Sequence, residues 1–269
     1  MNRSRKGPDH PREHRIRYSD DLLWGVHPVL EVLQTQPQRL VELTLQKDKH
    51  GKGYQKIIEI ARGHGIKHSF VERLKISGSS EPVNHQGVVA RIAATPLFAL
   101  EDLLDSFSQA CRDGRKPKII ACDTIQDPHN LGAIIRSAHA AGVNQLILTR
   151  DRSAPLGGTA AKASAGALAR VQICQVTNLA EALKRLKEAG AWIFGAVKEA
   201  EAQSIYQTDF NLPACLVVGN EGSGIRPLVQ RHCDVLVSIP MAGGIDSLNS
   251  SVAAAVILFE MLRQSLDAE

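Results

Sequence analysis

Aromatic side chains are scarce in this chain. Phe, Trp and Tyr make up 4% of its 269 residues, so a core built from it has to be aliphatic and rich in alanine. Long apolar runs are missing as well. None reaches the roughly twenty residues that span a bilayer, and no membrane helix is expected. The first twenty residues, MNRSRKGPDHPREHRIRYSD, hold no apolar stretch of the kind a secretory signal needs. The five cysteines, at 111, 122, 174, 215 and 233, form no CxxC pair, which fits reduced thiols in a cytoplasmic protein. His27, His85 and the pair His64 and His68 lack an acid or thiol at ligand spacing, so no metal is expected.

What is present is ample apolar material, 43% of the chain, and an uneven charge. Residues 1–99 carry 16 Lys and Arg against 10 Asp and Glu; residues 100–269 carry 16 against 18. A basic front on a slightly acidic remainder suggests a polyanion-binding module joined to something else. Residues 1–20 read as a flexible basic arm. From residue 21 to 94 a small α/β domain is expected. It has a short helix at Val29–Leu33, strands at Val41–Leu45, Ile66–Val71 and Gly87–Ala93, a helix at Tyr54–Arg62 and a helical turn at Glu72–Lys75. Residues 95–99 read as a linker.

From residue 100 a helix, Ala99–Cys111, leads into a regular alternation. Strands are expected at Lys118–Cys122, Gln145–Thr149, Val171–Gln175, Trp192–Ala196, Cys215–Gly219 and Val235–Ile239. Helices are expected at Leu131–Ala141, Thr159–Ala169, Leu179–Ala189, Ile225–Arg231 and Ser250–Arg263. Such alternation builds a parallel sheet covered on both faces, with ligands at the carboxyl ends of its strands. A dinucleotide-binding fold would place its glycines after the first strand, and here they follow the fifth.

Three stretches carry candidate chemistry. In Asp123–Arg136, Asn130 is expected to cap a helix, and Arg136, six residues on, stays near its start and adds positive charge. In Gly219-Asn220-Glu221-Gly222-Ser223-Gly224, glycines let backbone approach a ligand, and Glu221 needs a partner, with Arg136 a candidate. In Ile239-Pro240-Met241 through Ser247-Leu248-Asn249, a glycine-bearing turn leads to a polar helix start. Lys162 and Ser164 could face the same crevice.

Taken in order, these stretches resemble the motifs of the SpoU/TrmH branch of the SPOUT methyltransferases: an Asn with an Arg six residues later, N-E-G-x-G, and I-P-M-x-G-x-x-x-S-L-N-x-S. The match covers about residues 100–269. The front part, with GVHPVLEVL and NHQGVVARI, is similar to the ribosomal protein L30e-like RNA-binding domain of the family's rRNA members. The resemblance implies a C-terminal sheet threaded into a deep trefoil knot, a homodimer packed through it, and S-adenosylmethionine as methyl donor without a metal. It implies ribose 2'-O-methylation of a guanosine in 23S rRNA or a ribosomal precursor particle, with a tRNA ribose 2'-O-methyltransferase of the same family or a non-catalytic RNA-binding protein as the alternatives. It further implies that Gly195, Ala196, Gly219, Asn220, Glu221, Ile239, Met241 and Leu248 hold the cofactor. Arg136 would act electrostatically on a phosphate or alkoxide, oriented by Glu221, while Asn130, Ser247 and Asn249 would place the ribose.

Overall fold

The computed structural model describes residues 13–78, 83–199, 201–244 and 247–267. The chain divides into two compact units, Met1–Ala94 and Thr95–Glu269.

The first unit contains β1 (Glu13–Arg17), β2 (Leu22–Trp24), α1 (Val26–Thr35), β3 (Leu40–Gln46), α2 (Lys52–Gly63), β4 (His68–Val71), β5 (Arg73–Ser77) and β6 (Val88–Ile92). Four strands form a sheet in the order β2-β6-β3-β4. Alternation in β3 decides its faces. Leu43 and Leu45 are fully buried, while Glu42 and Thr44 point to the other side, beside Arg91 and Val89 of β6. On that second side Leu22, Trp24 and Val89 pack with Leu74 and Ile76 of β5.

Two expectations fail here. Glu72–Lys75 is not helical: buried Leu74 and Ile76 alternate with exposed Arg73 and Lys75, a period of two, and β5 pairs with β1 in parallel. Residues 13–17, expected in a flexible arm, are that partner strand, because Ile16 has apolar cover to reach. Residues 1–12 of the expected arm and 79–82 of the expected loop lie outside the described residues.

The second unit runs α3 (Leu100–Arg112), β7 (Lys118–Asp123), α4 (Pro128–Ala140), β8 (Gln145–Thr149), α5 (Gly158–Ala163), β9 (Gln172–Val176), α6 (Leu179–Glu188), β10 (Trp192–Ala196), β11 (Gln203–Ser204), β12 (Ala214–Gly219), α7 (Pro227–Gln230), β13 (Val235–Ser238) and α8 (Ser250–Leu266). Its seven strands are all parallel, in the order β11-β13-β10-β12-β7-β8-β9. The central strand β12 is buried along its length, as a sheet covered on both faces requires. The ATPLF segment is tied to this unit: the Phe98 amide donates to Ile173 O at 2.8 Å, and Thr95 Oγ1 to Leu156 O at 3.0 Å.

The expected helix Thr159–Ala169 is broken. Its α-helical part ends at Ala163, because Ala165 and Gly166 take φ of 49° and 92°, and a short 3-10 turn follows. Ser164 is fully buried and donates to Ala161 O at 2.8 Å, so it does not face the crevice.

Candidate active site: a cleft at the strand ends

Four neighbouring strands, β13, β10, β12 and β7, bring their carboxyl ends together. There the segments after β10, β12 and β13 and the start of α8 enclose a cleft of about 290 Å³. Val218 to Ile225 line one side, Ala196 to Glu199 another, and Ile239, Met241, Ser247 and Leu248 a third. Among the described residues, the charges on its walls are Lys198, Glu199 and Glu221.

The turn after β12 explains its own glycines. Asn220 and Gly224 exchange backbone hydrogen bonds of 2.8 and 3.1 Å, folding the chain back on the strand end. A Cβ on Gly219 would lie 2.2 Å from the Gly224 carbonyl carbon, so no other residue fits. The Asn220 side chain is consumed by this fold. Its Nδ2 donates to Thr124 O at 3.1 Å and its Oδ1 accepts from the Gly222 amide at 2.9 Å.

Gly195 is closely packed. It does not line the cleft, and a Cβ there would lie 2.8 Å from Cys233 Sγ and 3.0 Å from Leu236. It is a packing glycine, whereas its neighbour Ala196 does reach the cleft.

Three distant segments meet on one carboxylate. Glu221 Oε1 accepts from Asn249 Nδ2 at 2.5 Å and from Asn130 Nδ2. Asn249 Nδ2 also donates to Asn130 Oδ1 at 3.1 Å, and Ser251 Oγ donates to Asn249 Oδ1 at 2.6 Å. The Asn249 oxygen caps α8 as well, accepting from the Ser251 amide at 2.8 Å. Both polar groups of the Asn249 side chain are thus engaged within the protein.

Asn130 does not cap α4. Asp127 does, accepting from the His129 amide at 2.8 Å, with Pro128 at the first helical position. Asn130, one turn in, is buried and free to turn toward Glu221. Arg136 does not pair with Glu221. Six residues at 100° each carry it two-thirds of a turn round α4 and about 9 Å along it. It is exposed and, among the described residues, has no ion-pair partner.

Two features escaped the sequence reading. Asp123, the last residue of β7, is fully buried and holds Arg226: Oδ2 accepts the Arg226 amide at 2.8 Å and Oδ1 its Nε at 2.8 Å. This clamp ties the end of β7 to the far end of the glycine turn. Its only sequence signal is an acid closing the apolar run KIIACD. Ser250 is the second. Its buried hydroxyl lines the cleft and has no hydrogen-bond partner among the described residues. Burial raises the thiol pKa of all five cysteines, that of Cys122 and Cys233 each up to about 12, which disfavours the thiolate form. Among the described residues no group of three or more His, Cys, Asp or Glu could hold a metal ion, and no helix is long and apolar enough to cross a membrane.

A parallel α/β domain with a ligand-sized cleft at its strand ends, joined to a separate small α/β unit, defines a two-part α/β protein. Comparison of sequences makes this specific. Residues 117–259 match the model of the SpoU rRNA Methylase family, and the chain belongs to that family. Residues 22–97 match the domain model described as RNA 2'-O ribose methyltransferase substrate binding. Among similar proteins is the 23S rRNA (guanosine-2'-O-)-methyltransferase RlmB of Pseudomonas aeruginosa, 40% identical over 93% of this chain and 98% of that protein. The RlmB of Escherichia coli is 38% identical over 91% and 98%. The SpoU methyltransferase AviRb from Streptomyces viridochromogenes, solved with AdoMet, shares the fold at a TM-score of 0.69 and 24% identity, over 91% of this chain and 90% of that one.

Proposed function

We propose that this chain methylates the ribose 2'-hydroxyl of a guanosine in 23S rRNA, using S-adenosylmethionine bound in the strand-end cleft. The observation that carries the reading is the convergence of Asn130, Glu221 and Asn249 from three separate segments at one edge of that cleft. The activity named for the Pseudomonas and Escherichia relatives supports the substrate.

The cleft suits the donor. It offers backbone of the Gly219–Gly224 turn, apolar walls at Ile239, Leu248 and Val218, Met241 at its mouth, and a Ser250 hydroxyl without a partner among the described residues. When bound, S-adenosylmethionine supplies an electrophilic methyl group on a sulfonium. The residues of the chain have the other half of the task, because a ribose hydroxyl is a poor nucleophile that must be placed and activated. Arg136, always protonated, neutralises a substrate phosphate or the developing alkoxide. Asn130 and Asn249 act by fixing Glu221, and Ser247, exposed at the cleft, is free to hydrogen-bond the ribose.

Residues 21–94 serve as the RNA-binding domain, 95–99 as the link and 100–269 as the catalytic domain, in a cytoplasmic enzyme. The insertion of β13 between β10 and β11 fits a C-terminal segment threaded into a trefoil knot. A homodimer fits the exposed apolar stripe of α8, where Val252 and Phe259 are 47% and 48% exposed.

The test is methyl transfer from labelled S-adenosylmethionine to RNA from a strain lacking this protein, with rRNA and tRNA separated afterwards. Label at a 2'-O-methylguanosine of 23S rRNA is expected, on free RNA or on a precursor particle. Label confined to tRNA would overturn the substrate, and no label on RNA or particles would overturn the activity.

A further inference from the structure

The first unit contains a slot of its own. Its four-stranded sheet is covered on one side by the ribbon of β1 and β5, but only in part. Cross-strand rows show where the cover stops. Thr44 lies between Val89 of β6 and Ser69 of β4, and Glu42 lies beside Arg91. The ribbon packs on the Leu22, Trp24 and Val89 end of these rows. Thr44, Ser69 and Glu42 are left as the floor of a cavity of about 250 Å³, and consecutive residues of β1 from His14 to Arg17 form its wall. Because β1 pairs only with β5 among the described residues, its other edge presents unpaired backbone donors and acceptors.

The charge around this slot is largely compensated, with one exception. Arg91 pairs with Asp21 at 2.6 Å, Arg15 with Glu13 at 2.7 Å and Glu42 with Lys67 at 3.1 Å. Arg17 is exposed and has no partner among the described residues. The slot is thus a polar-floored cavity with a free cation at its rim. It lies just below the usual range of ligand-pocket sizes, roughly 300–1,000 Å³, which suits one base with its sugar and excludes a duplex.

We propose that this slot takes a single unpaired nucleotide of the RNA substrate. Arg17 binds its phosphate, and the edge of the base meets the Thr44 and Ser69 hydroxyls and the Glu42 carboxylate. Sequence-specific RNA recognition targets splayed-out bases, because the bases of an A-form helix are out of reach in its deep groove. A carboxylate only accepts hydrogen bonds, so Glu42 favours a base edge that donates two, as the N1–H and exocyclic amine of guanine do. A peptide strand added to the free edge of β1 is the rival occupant. The Arg17 cation, the one left uncompensated among the described residues, favours the polyanion. The inference rests on the RNA-modifying reading of the chain and names a second contact point on that RNA, within the first unit.

The test uses the full chain and two probes at one salt concentration, a short hairpin with unpaired guanosines in its loop and a blunt duplex of the same stem. Arg17→Ala and Thr44→Val, the latter close in shape, are each expected to weaken hairpin binding about tenfold, the loss of one charged or buried hydrogen bond. Duplex binding, thermal unfolding and S-adenosylmethionine binding should not change. Glu42→Gln should erase a preference for guanosine over adenosine loops. Equal losses on both probes, no loss on either, or displacement of the hairpin by a short extended peptide of neutral composition would each overturn the slot. Methyl transfer by the unaltered chain is read separately. Transfer to rRNA together with slot variants that bind the hairpin normally removes the slot alone, while slot-dependent loop binding without transfer removes the enzymatic reading alone.

Discussion

Glu221 illustrates how a motif residue acquires its role from contacts far away in sequence. Its carboxylate gathers the amides of Asn130 and Asn249, 91 and 28 residues distant. Glu221→Gln replaces the shared acceptor with a group that also donates, so one Asn loses its bond. Methyl transfer should fall by a factor of about ten to a hundred, with S-adenosylmethionine affinity changed less, read as a kcat against KM split. Arg136→Ala should behave differently, leaving cofactor binding intact and abolishing turnover; an active variant would remove Arg136 from the mechanism. Gly219→Ala is a structural test. Its new methyl would meet the Gly224 backbone, and opening the turn should lower stability by about 1–3 kcal/mol in urea unfolding and weaken cofactor binding.

At the scale of elements, β7 joins its two ends to different partners. Asp123 closes its carboxyl end on Arg226, while Lys118 at the start donates from Nζ to Phe210 O and Leu212 O. Burial lowers the Lys118 pKa to about 8 from its ordinary 10.5. Between these values the unfolded chain binds more protons than the folded one, so stability should rise with pH from about 8 towards 10.5. Urea unfolding across this window should show that rise, and Lys118→Met should flatten it. On α8, Val252, Phe259 and Leu266 recur every seven residues and stay exposed. If this stripe is the homodimer contact, Phe259→Glu should give a monomer in sedimentation with the fold retained; an unchanged oligomer would place the contact elsewhere.

Over the whole molecule, the basic and catalytic halves are separate units, divided between Ala94 and Thr95. Removing residues 1–94 should leave a folded unit that still binds S-adenosylmethionine, because its sheet and cleft are complete without them. RNA affinity should drop, and the slope of log affinity against log salt should become shallower as phosphate contacts are lost. Equal affinity and slope would mean that the charge excess of the first unit faces no RNA.

Much of this protein could be read from residue order alone. Apolar runs of strand length alternating with amphipathic helices dictated the parallel sheet of the second unit, since strands buried on both faces are necessarily apolar throughout. The glycine turn after β12 and the polar start of α8 were legible for the same reason: local backbone demands select local residue types. Local patterns could not say which polar groups meet. Asn130 passes for a helix cap until Asp127 is seen in that position, and Arg136 passes for the partner of Glu221 until the turn of α4 carries it away. Glu72–Lys75 passes for a helical turn until β1 is laid beside it. The Asp123–Arg226 clamp, the packing role of Gly195 and the slot under β1 depend on residues between roughly 40 and more than 100 positions apart. Only tertiary structure decides such pairings, because hydrogen bonds and packing depend on distance in space, which local periodicity does not encode.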